Sequence, residues 1–379
     1  MTFRKRVAFS AVAAIIPLTL LFVCFEISLR LKATKAQTTE ARRMIDSKFG
    51  WLPTPNLVRK GESTDAIRQK TEFVMTQDEH GFRQWGDTKT AKPRVFVLGD
   101  SYTQSDDIDD SKTFYAVLQQ RMPDTEFWAF GCSGFGTFQQ WMVLEQYVAE
   151  IRPDVLLLQM SSNDIINNLL ELEDSMPFLA TPGPRPYLMD DGSVQFHLAS
   201  RHKGLAAYSK AIASLSDRIE SLAYRSEQWE PGKVRDYGTH RKPANFQKLL
   251  QRAEDKTVEI LNRMQATLGP DTQILAFYDE DVPPLSQALK NACQEAGIPV
   301  IDTVGSTMMA EEGKQGHYIY RTRDLWHWND DGHSLVAGIL EEPLKKAIHQ
   351  ASGRSGDQIK PAKSLEAIAS DPQDQRNVK

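Results

Sequence analysis

Two short segments, far apart in a chain of 379 residues, carry side chains that can do chemistry together. Gly99-Asp100-Ser101-Tyr102-Thr103-Gln104-Ser105 sets a serine in a glycine-led turn, and Asp324-Leu325-Trp326-His327 sets an aspartate three residues before a histidine. A serine hydroxyl is a weak nucleophile until a base takes its proton. An aspartate at that spacing reaches the ring Nδ1–H across a turn. It fixes the tautomer whose Nε2 accepts the serine proton, and it stabilises the imidazolium that forms. The reaction on offer is acyl transfer, with Ser101 as nucleophile, His327 as base and Asp324 as its orienting group. Asp330 and His333 repeat the spacing, but Gly332 and the helical run behind it assign His333 to packing or capping at a helix start.

Two further segments offer donors for an oxyanion. Phe130-Gly131-Cys132-Ser133-Gly134-Phe135-Gly136 is rich in glycine, which permits close backbone approach and an exposed N–H. Ser161-Ser162-Asn163-Asp164 holds a side-chain amide that can donate to a developing charge, while Asp164 caps a helix. Each segment has an ordinary reading when taken alone, as a helix cap or a strand-to-helix turn.

The elements that position them alternate. Arg94 to Leu98, Glu126 to Phe130, Asp154 to Met160, Gln273 to Tyr278 and Pro299 to Asp302 read as strands. Helices are expected at about 113–121, 138–151, 205–225, 244–267, 284–296 and 331–350. Strands alternating with helices imply a parallel sheet covered on both faces, with its site at the carboxyl ends of the strands. All four segments lie at ends of that kind. Residues 165–245 break the rhythm and read as an insertion. Pro182, Pro184 and Pro186 mark a loop there, and Asp191-Gly192 marks a hairpin turn between Tyr187 and Phe196.

The order of these motifs resembles that of the SGNH, or GDSL-like, hydrolase superfamily, over roughly residues 93–350. The resemblance implies a flavodoxin-like three-layer α/β/α sandwich with a parallel sheet of order 2-1-3-4-5. Carried over by motif position, it implies Ser101, His327 and Asp324 as the triad. It implies an oxyanion hole made by the backbone N–H of Ser101, the backbone N–H of Gly134 and the side chain of Asn163. Two positions depart from the family pattern. Ser161 stands where the third block usually opens with glycine, and Ala129-Phe130 stands where an asparagine often precedes the second block's glycines. Neither replaces a group that does chemistry. Phe49-Gly50-Trp51 and His80-Gly81-Phe82-Arg83 are similar to segments of bacterial SGNH proteins with a single N-terminal membrane helix. The family contains esterases and O-acyltransferases. The implied substrate is therefore an acylated small molecule or an O-acylated envelope or exported carbohydrate. Trp326, Trp328 and Phe135 flank the expected site and either pack in the core or stack on sugar rings. No metal or organic cofactor is called for.

Composition bounds the rest. Hydrophobic residues make up 41% and charged residues 25%, as in an ordinary globular protein. A net charge of −5 gives no basic face for nucleic acid. Arg4, Lys5 and Arg6 precede an apolar run from Val7 to Cys24. As a helix that run spans roughly 27 Å, near the thickness of a bilayer core. With no small-x-small cleavage site at its end, residues 1–31 read as a cytoplasmic tip and transmembrane anchor. That places the remainder on the extracytoplasmic, periplasmic side of an inner membrane, the alternative being secretion after signal cleavage. Residues 32–92 read as a polar stem and irregular cap, and 351–379 as a disordered tail. Cys132 and Cys293 are either a disulfide or two buried thiols. No protein partner is indicated.

Overall fold

A strand buried on both faces reads as a near-continuous apolar run, and Val155–Met160 (VLLLQM), apolar but for Gln159, is buried throughout. It is the centre of the sheet. The computed structural model describes residues 15–31, 42–176, 181, 183–199, 208–227, 230–233, 242–280 and 282–354. Its strands in chain order are β1 (Arg43–Asp46), β2 (Gly50–Pro53), β3 (Val58–Thr64), β4 (Lys70–Thr76), β5 (Arg94–Gly99), β6 (Glu126–Gly131), β7 (Val155–Met160), β8 (Gly183–Leu188), β9 (Val194–Ala199), β10 (Gln273–Tyr278) and β11 (Val300–Ile301). The helices are α1 (residues 15–31), α2 (Ser101–Gln104), α3 (Phe114–Arg121), α4 (Thr137–Ile151), α5 (Ser162–Asn167), α6 (Leu170–Ser175), α7 (Lys210–Glu227), α8 (Phe246–Leu268), α9 (Leu285–Glu295), α10 (Thr303–Gln315) and α11 (Asp330–Arg354).

Five strands form one parallel sheet in the order β6-β5-β7-β10-β11. Counted along the chain this is 2-1-3-4-5, as expected. Alternate residues of each strand feed opposite faces. Phe96, Leu98, Leu156 and Leu158 pack with α4, α8 and α9, whereas Val95, Val97, Val155 and Leu157 pack with α3, α10 and α11. Three layers result. Truncating a side chain such as Leu157 to alanine costs about 2–5 kcal/mol in such a core. The strand order reverses between β6 and β7 around β5, so the cleft at a switch point opens above the carboxyl end of β5.

Two expectations are corrected. The region before the sheet is not irregular: β1 with β2 and β3 with β4 form antiparallel hairpins. Only one strand of the second hairpin carries an inward alternation, Phe73 and Met75, so the pattern in sequence is half hidden. Phe49, Trp51 and Phe82 from this region are buried in the core beside α4. Helix α10 went unread because its apolar face is reduced to Val304 and Met308 between glycines and polar residues. Among the described residues no helix is long and apolar enough to cross a membrane. Helix α1 carries Glu26 and Arg30, while the first part of the expected span, Val7 to Ala14, lies outside the described residues, as does most of the expected tail (355–379). Within the insertion, β8 and β9 form the expected hairpin, closed by Met189 and Ser193 with Gly192 at φ +81°. Cys132 and Cys293 are both buried free thiols.

Candidate active site

Strand β5 ends at Gly99, and α2 starts two residues later. A β-carbon at Gly99 would collide with Gln159 and Thr103, so only glycine lets the turn pack this tightly on β7. Asp100 caps α2, accepting from the Tyr102 N–H at 3.1 Å, and its own N–H donates to Gln159 Oε1 at 3.0 Å. The cap reading and the chemical reading of this segment therefore hold together: the cap fixes the turn that lifts Ser101 into the cleft.

His327 arrives from 226 residues downstream, with Nε2 at 2.9 Å from Ser101 Oγ. Its Nδ1 lies 2.5 Å from Asp324 Oδ2. The other Asp324 oxygen accepts from the N–H of Trp326 at 2.8 Å and of His327 at 3.0 Å, and from Thr322 Oγ1 at 2.8 Å. Leu325 takes a left-handed φ of +66° to make this tight turn. Burial alone would raise the Asp324 carboxyl, but the bond and charge of His327, then Thr322 and the Trp326 N–H, hold it well below the usual carboxylate range. Burial would lower the imidazole, but the bond to Asp324 and its charge, with the charges of Asp100 and Asp106, raise it above its ordinary value. His333 is a packing residue, as expected. It is buried, stacked on Phe114, and its Nδ1 accepts from the Phe114 N–H at 3.2 Å. Burial, with the positive charges of Arg83 and His327, lowers it to about 3. Among the described residues Asp330 makes no hydrogen bond to it.

The expected oxyanion donors differ in their engagement. Among the described residues neither the Ser101 nor the Gly134 N–H has a hydrogen-bond partner. Gly134 has φ +79°, and a β-carbon there would run into Thr181 of the insertion. Asn163 sits half-buried on the first turn of α5 and gives one amide hydrogen to Asn167 Oδ1 at 3.1 Å, leaving the other free to donate. Asp164 fixes its loop as expected: it accepts from the Ser161 N–H at 2.6 Å, and from Thr137 and Gln140 on α4.

A family model described as GDSL-like Lipase/Acylhydrolase family matches residues 97–335. The chain belongs to this family. Among solved structures it is similar to the psychrotrophic esterase EstA from Pseudoalteromonas sp., at 10% identity and TM-score 0.39, over 68% of this chain and 100% of that one. It is also similar to the acetyl xylan esterase AlAXEase, at 13% identity and TM-score 0.37, over 66% and 99%. A third is TesA, at 11% identity and TM-score 0.39, over 67% and 99%. No curated protein matches by sequence.

The departure from the GDSL pattern at Ser161 has a structural consequence. Ser161 Oγ donates to Asp279 and accepts from Gln159 Nε2 at 3.2 Å. Gln159 in turn holds the Asp100 N–H and Thr103. A buried polar chain thus runs beneath the Ser101 turn from β5 to β10. Asp100, Asp164 and Asp279 are all pushed up, first by burial, and for the latter two also by neighbouring carboxylates. Sequence reading missed Gln159 and Asp279. Asp279 directly follows β10, the same kind of strand end that flagged the other segments, and that signal was available. Arg42, Asp106 and Asp107 also line the cleft beside Ser101 and His327, and nothing in the sequence marked them. Of the three aromatics that flank the site in sequence, two take the core-packing reading. Phe135 is fully buried, and Trp328 packs on Tyr102, Phe114 and Phe277 within the core. Trp326 is half-buried, and its carbonyl accepts from the Tyr102 hydroxyl at 3.0 Å. Among the described residues no cluster of His, Cys, Asp and Glu can hold a metal ion.

Proposed function

We propose that this GDSL-family chain is a serine esterase that acts on O-acylated envelope or exported carbohydrate through an acyl-serine intermediate. The observation that carries the reading is the continuous line Asp324–His327–Ser101, with gaps of 2.5 and 2.9 Å, at the carboxyl end of β5. His327 takes the Ser101 proton as Oγ attacks the ester carbonyl. The carbonyl electrons move onto oxygen, held by the Ser101 and Gly134 N–H groups and the Asn163 amide. Collapse of the tetrahedral intermediate breaks the ester C–O bond, and His327 returns its proton to the departing alcohol. Water, deprotonated by His327, then releases the acid. Each oxyanion donor contributes about 3–4 kcal/mol of barrier lowering in sites of this type.

The cleft wall supports a hydroxyl-rich alcohol. Arg42 pairs with Asp106 at 3.1 Å and with Asp107 at 3.7 Å, and Arg59 pairs with Asp107 at 3.4 Å. Arg42, Asp106 and Asp107 line the cleft as an ion-paired group, a polar lining suited to a hydroxyl-bearing group rather than to a fatty one. The same polar wall favours a second reading, transfer of the acyl group to a sugar hydroxyl in place of water. The run from Val7 to Cys24 is read as the tether of the domain to an inner membrane, on its periplasmic side. That reading is supported by the basic residues before the run and by the exposed apolar side chains of α1.

The test is turnover of p-nitrophenyl acetate by the parent and Ser101→Ala, with and without sugar acceptors. Esterase activity that vanishes in Ser101→Ala supports the first reading. Faster release with a sugar and an acetylated product selects the transferase. Equal behaviour of parent and variant in every assay leaves a catalytically silent scaffold. Resistance to carbonate extraction from membranes tests the tether.

A further inference from the structure

The Gly134 N–H belongs to a peptide whose orientation is held from outside the hydrolase domain. Cys132 to Phe135 form a turn closed by the Phe135 N–H on the Cys132 carbonyl at 2.9 Å. With Gly134 third in the turn at φ +79°, this is a type II turn. Types I and II differ by a flip of the central peptide, here Ser133–Gly134, and glycine at the third position tolerates both. The two forms point the Gly134 N–H in opposite directions. Sequence alone therefore leaves the hole undecided between a donor and an acceptor.

The Ser133 carbonyl receives two hydrogen bonds, from Arg43 Nη1 at 2.9 Å and from Trp51 Nε1 at 3.1 Å. Arg43 is the first residue of β1 and Trp51 the second of β2, facing strands of the N-terminal hairpin. Their side chains also stack, with the guanidinium 5.6 Å from the indole centroid. On its other side the Ser133 N–H donates to Gln104 Oε1 at 2.6 Å. The Ser133–Gly134 peptide is trans, so its C=O and N–H point in opposite directions. Holding the carbonyl toward the hairpin fixes the Gly134 N–H away from it.

We infer that Arg43 and Trp51 are positioning residues for the oxyanion hole: by gripping the Ser133 carbonyl from the N-terminal hairpin they keep the Gly134 N–H available as a donor. The inference rests on the serine-esterase reading for its effect on rate, but the hydrogen bonds themselves can be tested without it. A flipped peptide would place the Ser133 oxygen where the oxyanion forms, which opposes the transition state more than it opposes substrate binding. The hairpin, which precedes the region matched by the family model, thereby becomes part of the catalytic apparatus.

The experiment compares full-length parent, Arg43→Gln, Trp51→Phe and the double variant, using p-nitrophenyl acetate. One remaining grip keeps the peptide oriented most of the time, so each single variant loses roughly 2- to 10-fold in kcat. The double variant loses more than the product of the two, approaching the roughly 100- to 1,000-fold expected when one donor is lost. KM stays within about threefold in all, as expected when a contact acts only in the transition state. Equal changes in KM and kcat, or a double variant no worse than either single one, overturns the inference. The second readout is the carbonyl resonance of Ser133, seen by selective 13C-serine and 15N-glycine labelling. It moves in the double variant if both donors are real, and a resonance that stays put overturns the inference whatever the activity does. Should Trp51→Phe destabilise the fold, Arg43→Gln alone still decides, through that resonance and the kcat–KM split. Ser101→Ala with parental activity would instead sink the serine-esterase reading and leave the resonance to judge the grip.

Discussion

Replacing Asp324 with asparagine keeps the shape of the His327 turn and removes one electronic feature. The asparagine oxygen can still accept from the Trp326 and His327 N–H groups and from Thr322, the three partners of Asp324 Oδ1. The atom that replaces Oδ2 becomes an NH₂ group, and it faces His327 Nδ1. A donor in that place selects the tautomer with a bare Nδ1 and a proton on Nε2. That proton then points at Ser101 Oγ, and the base is lost. In a buried serine-protease triad this exchange lowers kcat by about 10⁴-fold. Here the Asp324 and His327 side chains are 47% and 41% exposed, so water can satisfy the rival tautomer and screen the charge. The expected loss is therefore smaller, about 10²- to 10³-fold, or roughly 3–4 kcal/mol of barrier. The pH profile adds a second signature. In the parent the aspartate raises the imidazole, so activity climbs with pH as His327 gives up its proton. Without the anion that climb moves to lower pH even as the plateau falls. The assay is kcat and kcat/KM for p-nitrophenyl acetate from pH 4 to 9, with a thermal melt to show the fold is intact. A folded Asp324→Asn variant with kcat within threefold of the parent, or with its acid limb moved upward, would refute the reasoning.

Other expectations follow from single contacts. Asn163→Ala should cost about 10²- to 10³-fold in kcat at nearly constant KM, because in the proposed mechanism the amide donates to the oxyanion. Steady-state kinetics will show this, and a pure KM effect speaks against it. Gly134→Ala forces a side chain into a left-handed φ and against Thr181, so kcat should drop at least about tenfold and the melting temperature should fall. His333 is held near pKa 3 when folded, against about 6.5 unfolded. Its contribution to stability is complete above pH 6.5 and is lost as pH falls toward 3. Between those limits urea melts of the parent should lose about 1.4 kcal/mol per pH unit more than those of His333→Asn. Parallel slopes contradict the burial of that imidazole. Trp328→Ala should cost about 3–5 kcal/mol in the same melts, because the ring fills the core under Tyr102 instead of facing substrate.

The sheet was readable because each central strand is short, mostly apolar and ended by glycine or a turn, as in Arg94–Gly99 and Glu126–Gly131. Its order was not readable from periodicity, and came from the likeness of the four strand-end motifs to a known family. Ser101, Asp324 and His327 announced themselves because their chemistry needs fixed residue types at fixed spacing. Gln159 and Asp279 did not, since a buried glutamine in β7 or an aspartate after β10 has no spacing rule of its own. The N-terminal hairpins escaped for a different reason. Residues such as Arg43 and Arg59 make their key contacts more than forty positions away, with Ser133 and Asp106, and such pairings leave no periodic trace. Trp328 was open between core and sugar platform, because an aromatic beside a histidine in a strand-end motif fits both until its burial is known.

In the proposed mechanism Ser101 is the nucleophile that His327 activates. Incubating the full chain with a fluorophosphonate and mapping the adduct by peptide mass spectrometry tests this most directly. A single adduct on Ser101, at least about a hundredfold slower to form in His327→Ala, is the expected result. An adduct on Ser105 or Ser133, or labelling of Ser101 that ignores His327, would contradict it.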